Sequence, residues 1–176
     1  MMKRLVVLLV VLAAVVLPAA AQDFSSPTPQ FISFNLGVAV GPELTDDGGF
    51  AGGYNFGFDF FVLDGLSVGF DRITTGSNGD FPVTRDYNGL RLGYKFTPVI
   101  GAALGFGSAD YTYTGTGSLN GVEPETFTLG LFADVLSKRS EVGIAHSLKL
   151  RIDYVAPFEE LAEGALIFIV GLSFGV

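Results

Sequence analysis

The sequence predicts an all-β fold, an eight-stranded antiparallel up-and-down transmembrane β-barrel, on three observations. Eight stretches alternate between large apolar residues and small or charged ones, the joints between them alternate short and long, and no segment after the N-terminal leader keeps a helical period. Alternation with period two places side chains on opposite faces of a strand. At 3.6 residues per turn the same stripe would be spread around a helix.

The leader is set aside first. Lys3 and Arg4 form a positive start, Leu5 to Leu17 an apolar run, and Pro18 to Ala21 a small-residue cleavage site. This is the pattern of a secretory signal peptide over 1–21, with the mature chain starting near Gln22. The apolar run is too short to cross a ~30 Å hydrocarbon core as a helix. With no cysteine at the boundary, lipid attachment through an N-terminal Cys is excluded. The rest, 22–176, reads as one domain. Having no cysteine at all, it can build neither a disulfide framework nor a thiolate site.

The strands are justified in order. The first, Phe31–Val40, sets Ile32, Phe34, Leu36, Val38 and Val40 against Ser33, Asn35, Gly37 and Ala39. The second, Gly53–Val62, sets Tyr54, Phe56, Phe58 and Phe60 against Asn55, Gly57 and Asp59. The third, Leu66–Thr74, sets Leu66, Val68 and Phe70 against Ser67, Gly69 and Asp71. The fourth, Arg85–Phe96, sets Leu90, Leu92, Tyr94 and Phe96 against Gly89, Arg91, Gly93 and Lys95. The fifth, Val99–Tyr111, sets Ile100, Ala102, Leu104 and Phe106 against glycines and Ala103. The sixth, Thr126–Leu136, sets Phe127, Leu129, Leu131, Ala133 and Val135 against Thr128, Gly130 and Asp134. The seventh, Val142–Val155, sets Ile144, Leu148, Leu150, Ile152 and Tyr154 against Ser147, Lys149, Arg151 and Asp153. The eighth, Ala165–Val176, is the clearest, with Leu166, Phe168, Val170, Leu172, Phe174 and Val176 against Gly171, Ser173 and Gly175.

The joints after the second, fourth and sixth strands are short: Leu63 to Gly65, Thr97-Pro98, and Ser137 to Glu141. Those near Gly41–Gly52, Thr75–Thr84, Thr112–Glu125 and Ala156–Gly164 are longer and rich in turn formers. That alternation matches short turns at one barrel rim and long loops at the other. The minor face carries Asp59, Asp71, Asp134 and Asp153 with Arg91, Lys95, Lys149 and Arg151, neutral as a set. A narrow interior needs such balance, because each buried charge requires a partner. The apolar face is therefore expected outward, in lipid; the alternative is an inverted, lipocalin-like barrel with its phenylalanines inside.

On these strands, joints and faces the chain resembles the small eight-stranded outer-membrane β-barrel family typified by the OmpA transmembrane domain and OmpX. The resemblance implies a bacterial outer-membrane location and a monomer surrounded by outer-membrane lipid. It also implies insertion by the outer-membrane assembly machinery, which reads a Gly-x-x-hydrophobic-x-aromatic C-terminus. Gly171 and Phe174 match, and Val176 departs from the terminal aromatic. In OmpA-like barrels interior charges close the lumen with salt bridges, so the eight charged residues are expected to satisfy one another. A structural or surface-interaction barrel with a closed lumen is then the leading reading.

The alternative is a binder or transporter of a small hydrophobic molecule, using an apolar pocket in the upper lumen at Ile73, Tyr87, Tyr111, Ile167 and Ile169. Catalysis is not expected. Lipid A deacylases of similar size use a His and a Ser on the barrel wall, whereas the sole histidine, His146, points outward by parity and has Leu148 where a matching Ser would stand. One His without Cys gives no transition-metal donor set, and no cofactor is expected. Glu159-Glu160 with Glu163 is not a calcium loop. The long joints hold or adjoin Glu43, Asp46, Asp47, Asp80, Glu123, Glu125, Glu159, Glu160 and Glu163, offset only by Arg85, in a chain of net charge −8. Such a surface excludes nucleic acid and suits a cationic or protein partner, or loops that simply stay soluble.

Overall fold

A computed structural model of the chain describes residues 31–42, 44, 49–63, 65–77, 83–113, 123–141, 143–158 and 164–176. The signal-peptide segment lies outside them. Eight strands follow one another: β1 (Ile32–Pro42), β2 (Phe50–Leu63), β3 (Leu66–Ser77), β4 (Val83–Lys95), β5 (Ile100–Tyr113), β6 (Glu125–Arg139), β7 (Ala145–Pro157) and β8 (Ala165–Gly175). Each pairs antiparallel with the next, and β8 pairs with β1, closing the barrel. The predicted fold class is the observed one.

The strand ends differ from the alternation-based expectation. At the long-loop rim β2, β3, β4, β5 and β7 run on past the predicted Gly53, Thr74, Arg85, Tyr111 and Val155. Ladder pairing involves the backbone alone, so Gly76 opposite Thr84 extends β3–β4 without an apolar side chain. At the other rim β7 starts at Ala145 rather than Val142. The Ser140 N–H donates to the Ile144 carbonyl at 2.8 Å, the Ser140 hydroxyl accepts the Ile144 N–H at 3.2 Å, and Gly143 turns with φ +87°. Between β4 and β5 the Thr97 hydroxyl accepts the Ile100 N–H at 2.9 Å, so Val99 falls in the turn and not in the strand. Pairing is irregular between Phe61 and Leu63 and between Val135 and Lys138, where Leu136 takes a left-handed φ of 52°. These bulges bend the two strands at the short-turn rim.

Partners followed from Val40 through Phe168, Ile152, Leu131, Ala102, Tyr94 and Leu66 return beside β1 about ten residues below their start. That stagger tilts eight strands by ~40° and leaves an interior just wide enough for side chains. The outward phase is exposed and apolar, with Leu36, Phe56, Leu90, Leu131, Val170 and Leu172 among its members. The inward phase is buried and holds every one of the eight predicted charges on the lumen side of its strand. This rules out the lipocalin-like arrangement. One outward patch departs from expectation: Ala133 and Val135 are buried, because Val99 folds over them and its carbonyl accepts the Asp134 N–H at 2.8 Å.

Glycine spacing makes room for the charges. Gly57 pairs with Asp71 and Gly69 with Asp59, so each carboxylate on β2–β3 lies over a residue without a side chain. A Cβ at Gly57 would lie 2.7 Å from the Phe70 carbonyl and 2.9 Å from Asp71 Oδ1. Gly57→Ala is expected to lower stability by about 1–3 kcal/mol through overpacking, while Gly52→Ala, whose Cβ meets nothing within 4 Å, is tolerated. Urea titration of the refolded barrels, read by the band shift on unheated gels, checks the difference.

Candidate functional site

The lumen gathers the chemistry-bearing residues, because the inward phase of β2, β3, β4, β6 and β7 carries them at nearby levels. They form two separate chains of contacts. In the lower chain Lys95 Nζ lies 2.7 Å from Asp134 Oδ2, and Lys149 Nζ bridges Asp134 at 3.8 Å and Asp59 at 3.7 Å. Arg91 Nη1 donates to both Asp59 oxygens at 3.0 and 3.1 Å, and Asn35 Nδ2 donates to Oδ2 at 3.0 Å. In the upper chain Arg151 Nη2 meets Asp71 Oδ2 at 2.5 Å and also Asp153, while Asn55 Nδ2 donates to Asp71 Oδ1 at 2.5 Å.

The neutrality read from sequence is thus a property of the pair of chains and not of either one. The lower chain joins three cations to two carboxylates, and the upper joins one cation to two carboxylates. Each carries one unit of excess charge, of opposite sign, so the two attract along the barrel axis.

Phe132 is an inward residue that strand parity did not single out. It is 6% exposed, and its ring receives Arg91 at 5.1 Å and Lys149 at 5.4 Å from its centroid. The negative ring face thereby serves two cations of the chain that has too few carboxylates. A signal for it existed in Asp134, which fixes the inward parity of the strand and with it that of Phe132.

Above the charges the lumen turns apolar. Ile73, Tyr87, Tyr111, Ile167 and Ile169, the proposed pocket residues, are at most 2% exposed and pack with Ala39, Ala109, Val155 and Ala165. A gap beside Asn35, Asn55, Lys149, Arg151 and Ile169 is too tight for a water molecule. Arg85, read from sequence as a loop cation, is instead buried on the inward phase of β4, its guanidinium over the Tyr111 ring at 5.1 Å. Of the acidic loop residues, Glu123 and Glu125 are exposed, and Glu43, Asp46, Asp47, Asp80, Glu159, Glu160 and Glu163 lie outside the described residues. His146 is exposed on the outward phase of β7, paired with Phe174 and Lys138.

Removing Arg151 leaves Asp71 and Asp153 buried together without their cation. Arg151→Met is expected to destabilise the barrel by ~3–5 kcal/mol, with partial recovery when Asp153→Asn is added. Phe132→Leu, which spares every ion pair, should lose ~1–2 kcal/mol. Thermal melting in detergent, followed by circular dichroism, reads all three.

No family model matches the chain, and no curated protein matches it. Among solved structures it is similar to Ail, the attachment invasion locus protein of Yersinia pestis, at a TM-score of 0.54 and 10% identity over 85% of this chain and 100% of that one. It is also similar to the Neisserial surface protein A, at a TM-score of 0.51 and 14% identity over 82% of this chain and 96% of that one. With its outward apolar wall and closed ring of eight strands, the chain has the fold of the small outer-membrane β-barrels.

Proposed function

We propose that the protein is an outer-membrane barrel with a closed lumen, acting structurally or in surface interactions through its acidic long loops. One observation carries the closed lumen: a packed apolar layer of Ile73, Tyr87, Tyr111 and Ile167 lies over the two charge chains. An ion crossing it would shed its water at the apolar layer and break buried ion pairs below. The surface role follows from the loop sequences, whose nine acidic residues favour a cationic or protein partner and disfavour nucleic acid.

Further parts of this reading rest on the sequence. The segment 1–21 serves as the export signal, and the assembly machinery recognises β8 through Gly171 and Phe174. The barrel stands as a monomer. Catalysis has no part in it: His146 projects into the lipid-facing wall, and its ladder partners Phe174 and Lys138 offer no hydroxyl nucleophile.

Planar-bilayer recordings on the refolded protein test the closed lumen; sustained single-channel conductance would sink it. Uptake by a small hydrophobic molecule is the competing reading, and titration with a fluorescent fatty acid separates the two. No saturable binding is expected, since the side chains that would line the pocket fill it.

A further inference from the structure

The outward wall is not equally apolar around the barrel. Across β3, β4, β5 and β6 one pairing row reads Phe70, Leu90, Phe106 and Phe127. The next outward row toward the long loops reads Arg72, Asn88, Ser108 and Glu125, and the one above it Thr74, Asp86 and Asp110. Rows climb a little over one residue per strand from β1 toward β8, because a full circuit returns about ten residues higher. Arg72 and Asn88 are therefore level with Val38, Val40, Phe168 and Tyr154, which still face lipid on the other side. On β3–β4 the apolar band ends on the order of 5–10 Å short of its height on β8–β1.

The notch is built from paired side chains. Arg72 reaches up to Asp86, with Nε to Oδ1 at 3.0 Å and Nη2 to Oδ2 at 2.5 Å, and Thr74 Oγ1 donates to Asp86 Oδ1 at 3.0 Å. Arg72 is still 44% exposed, and two of its five N–H groups suffice for these bonds. Asp110 stands exposed directly opposite Asp86. Like charges facing each other across a ladder are unfavourable unless a cation joins them, and Arg72 bonds only Asp86 among the described residues. Measured from the bilayer centre, the notch presents a cation first and two carboxylates farther out.

We propose that this notch seats the headgroup of a lipid carrying a phosphate and, beyond it, a primary ammonium. The phosphate lies on Arg72, with the hydroxyl and amide of Ser108 and Asn88 on the same row. The ammonium lies between Asp86 and Asp110. The order of charges along the membrane normal matches such a headgroup, in which the phosphate is nearer the acyl chains. A lipid held here fills the step in the wall, so the leaflet on the long-loop side need not thin around β3–β5. The inference rests on the membrane-barrel reading, but not on what the loops bind.

The test is lipid retention. The barrel is refolded into nanodiscs of equal phosphatidylethanolamine, phosphatidylcholine and phosphatidylglycerol, released into mild detergent, and its bound lipids are counted by native mass spectrometry. Phosphatidylethanolamine should be retained over both others, since phosphatidylcholine has the phosphate but no N–H donor and phosphatidylglycerol lacks the cation. Asp110→Asn should cut that preference about tenfold, the scale of one charge-assisted hydrogen bond, while Arg72→Gln should cut the retention of all three lipids by a similar factor. Equal retention of the three lipids by the wild type, an unchanged preference in Asp110→Asn, or unchanged retention of all three in Arg72→Gln overturns the proposal. A chain that fails to form a heat-modifiable barrel in any of these lipids would instead count against the membrane reading.

Discussion

Backbone pairing in hydrocarbon is the constraint from which the other features follow. An unpaired N–H or C=O costs several kcal/mol where no water can reach it, so a sheet that crosses a bilayer has to close. Here β1 completes the ring by pairing with β8 from Ser33 opposite Gly175 to Val40 opposite Phe168. Eight strands at this stagger enclose a lumen the width of its own side chains. What fills that lumen is therefore decided by closure before any question of function arises.

A lumen so narrow imposes a matching of sizes and charges. Carboxylates on β2 and β3 alternate with glycines so that Asp59 and Asp71 never stand opposite each other. Desolvated charges are tolerated only when joined, and six ion pairs in the lower and upper chains do the joining, with Phe132 supplying a π face where carboxylates run short. The layer around Tyr87 and Ile167 is packed from apolar and aromatic side chains, with the Arg85 guanidinium lying over the Tyr111 ring.

Most of this architecture was legible in the sequence, since parity along a strand is local. Every predicted lumen charge has the inward phase that alternation assigned to it, and the eight strands occur in the predicted order. What parity could not show depends on register between strands. The division of eight charges into an upper and a lower chain requires knowing that Arg151 meets Asp71, eighty positions away. Phe132 escapes notice because the run Leu131-Phe132-Ala133 blurs the alternation, and Arg85 because it opens the predicted fourth strand, beside loop acids that it balances. Strand ends were underestimated for a different reason: Gly76, Thr84 and Thr112 pair through their backbones and leave no apolar stripe.

The reach of Arg151 across the lumen has a kinetic meaning. Its contacts with Asn55 and Asp71 tie β7 to β2 and β3, strands that meet only through the enclosed space and not through a shared ladder. Such ties cannot exist in an open, partly assembled sheet. They form last and must break first, so their free energy falls on the unfolding step rather than on the folding rate. A barrel fastened in this way persists by slow opening, a form of durability suited to a membrane site where a misplaced strand has no route back.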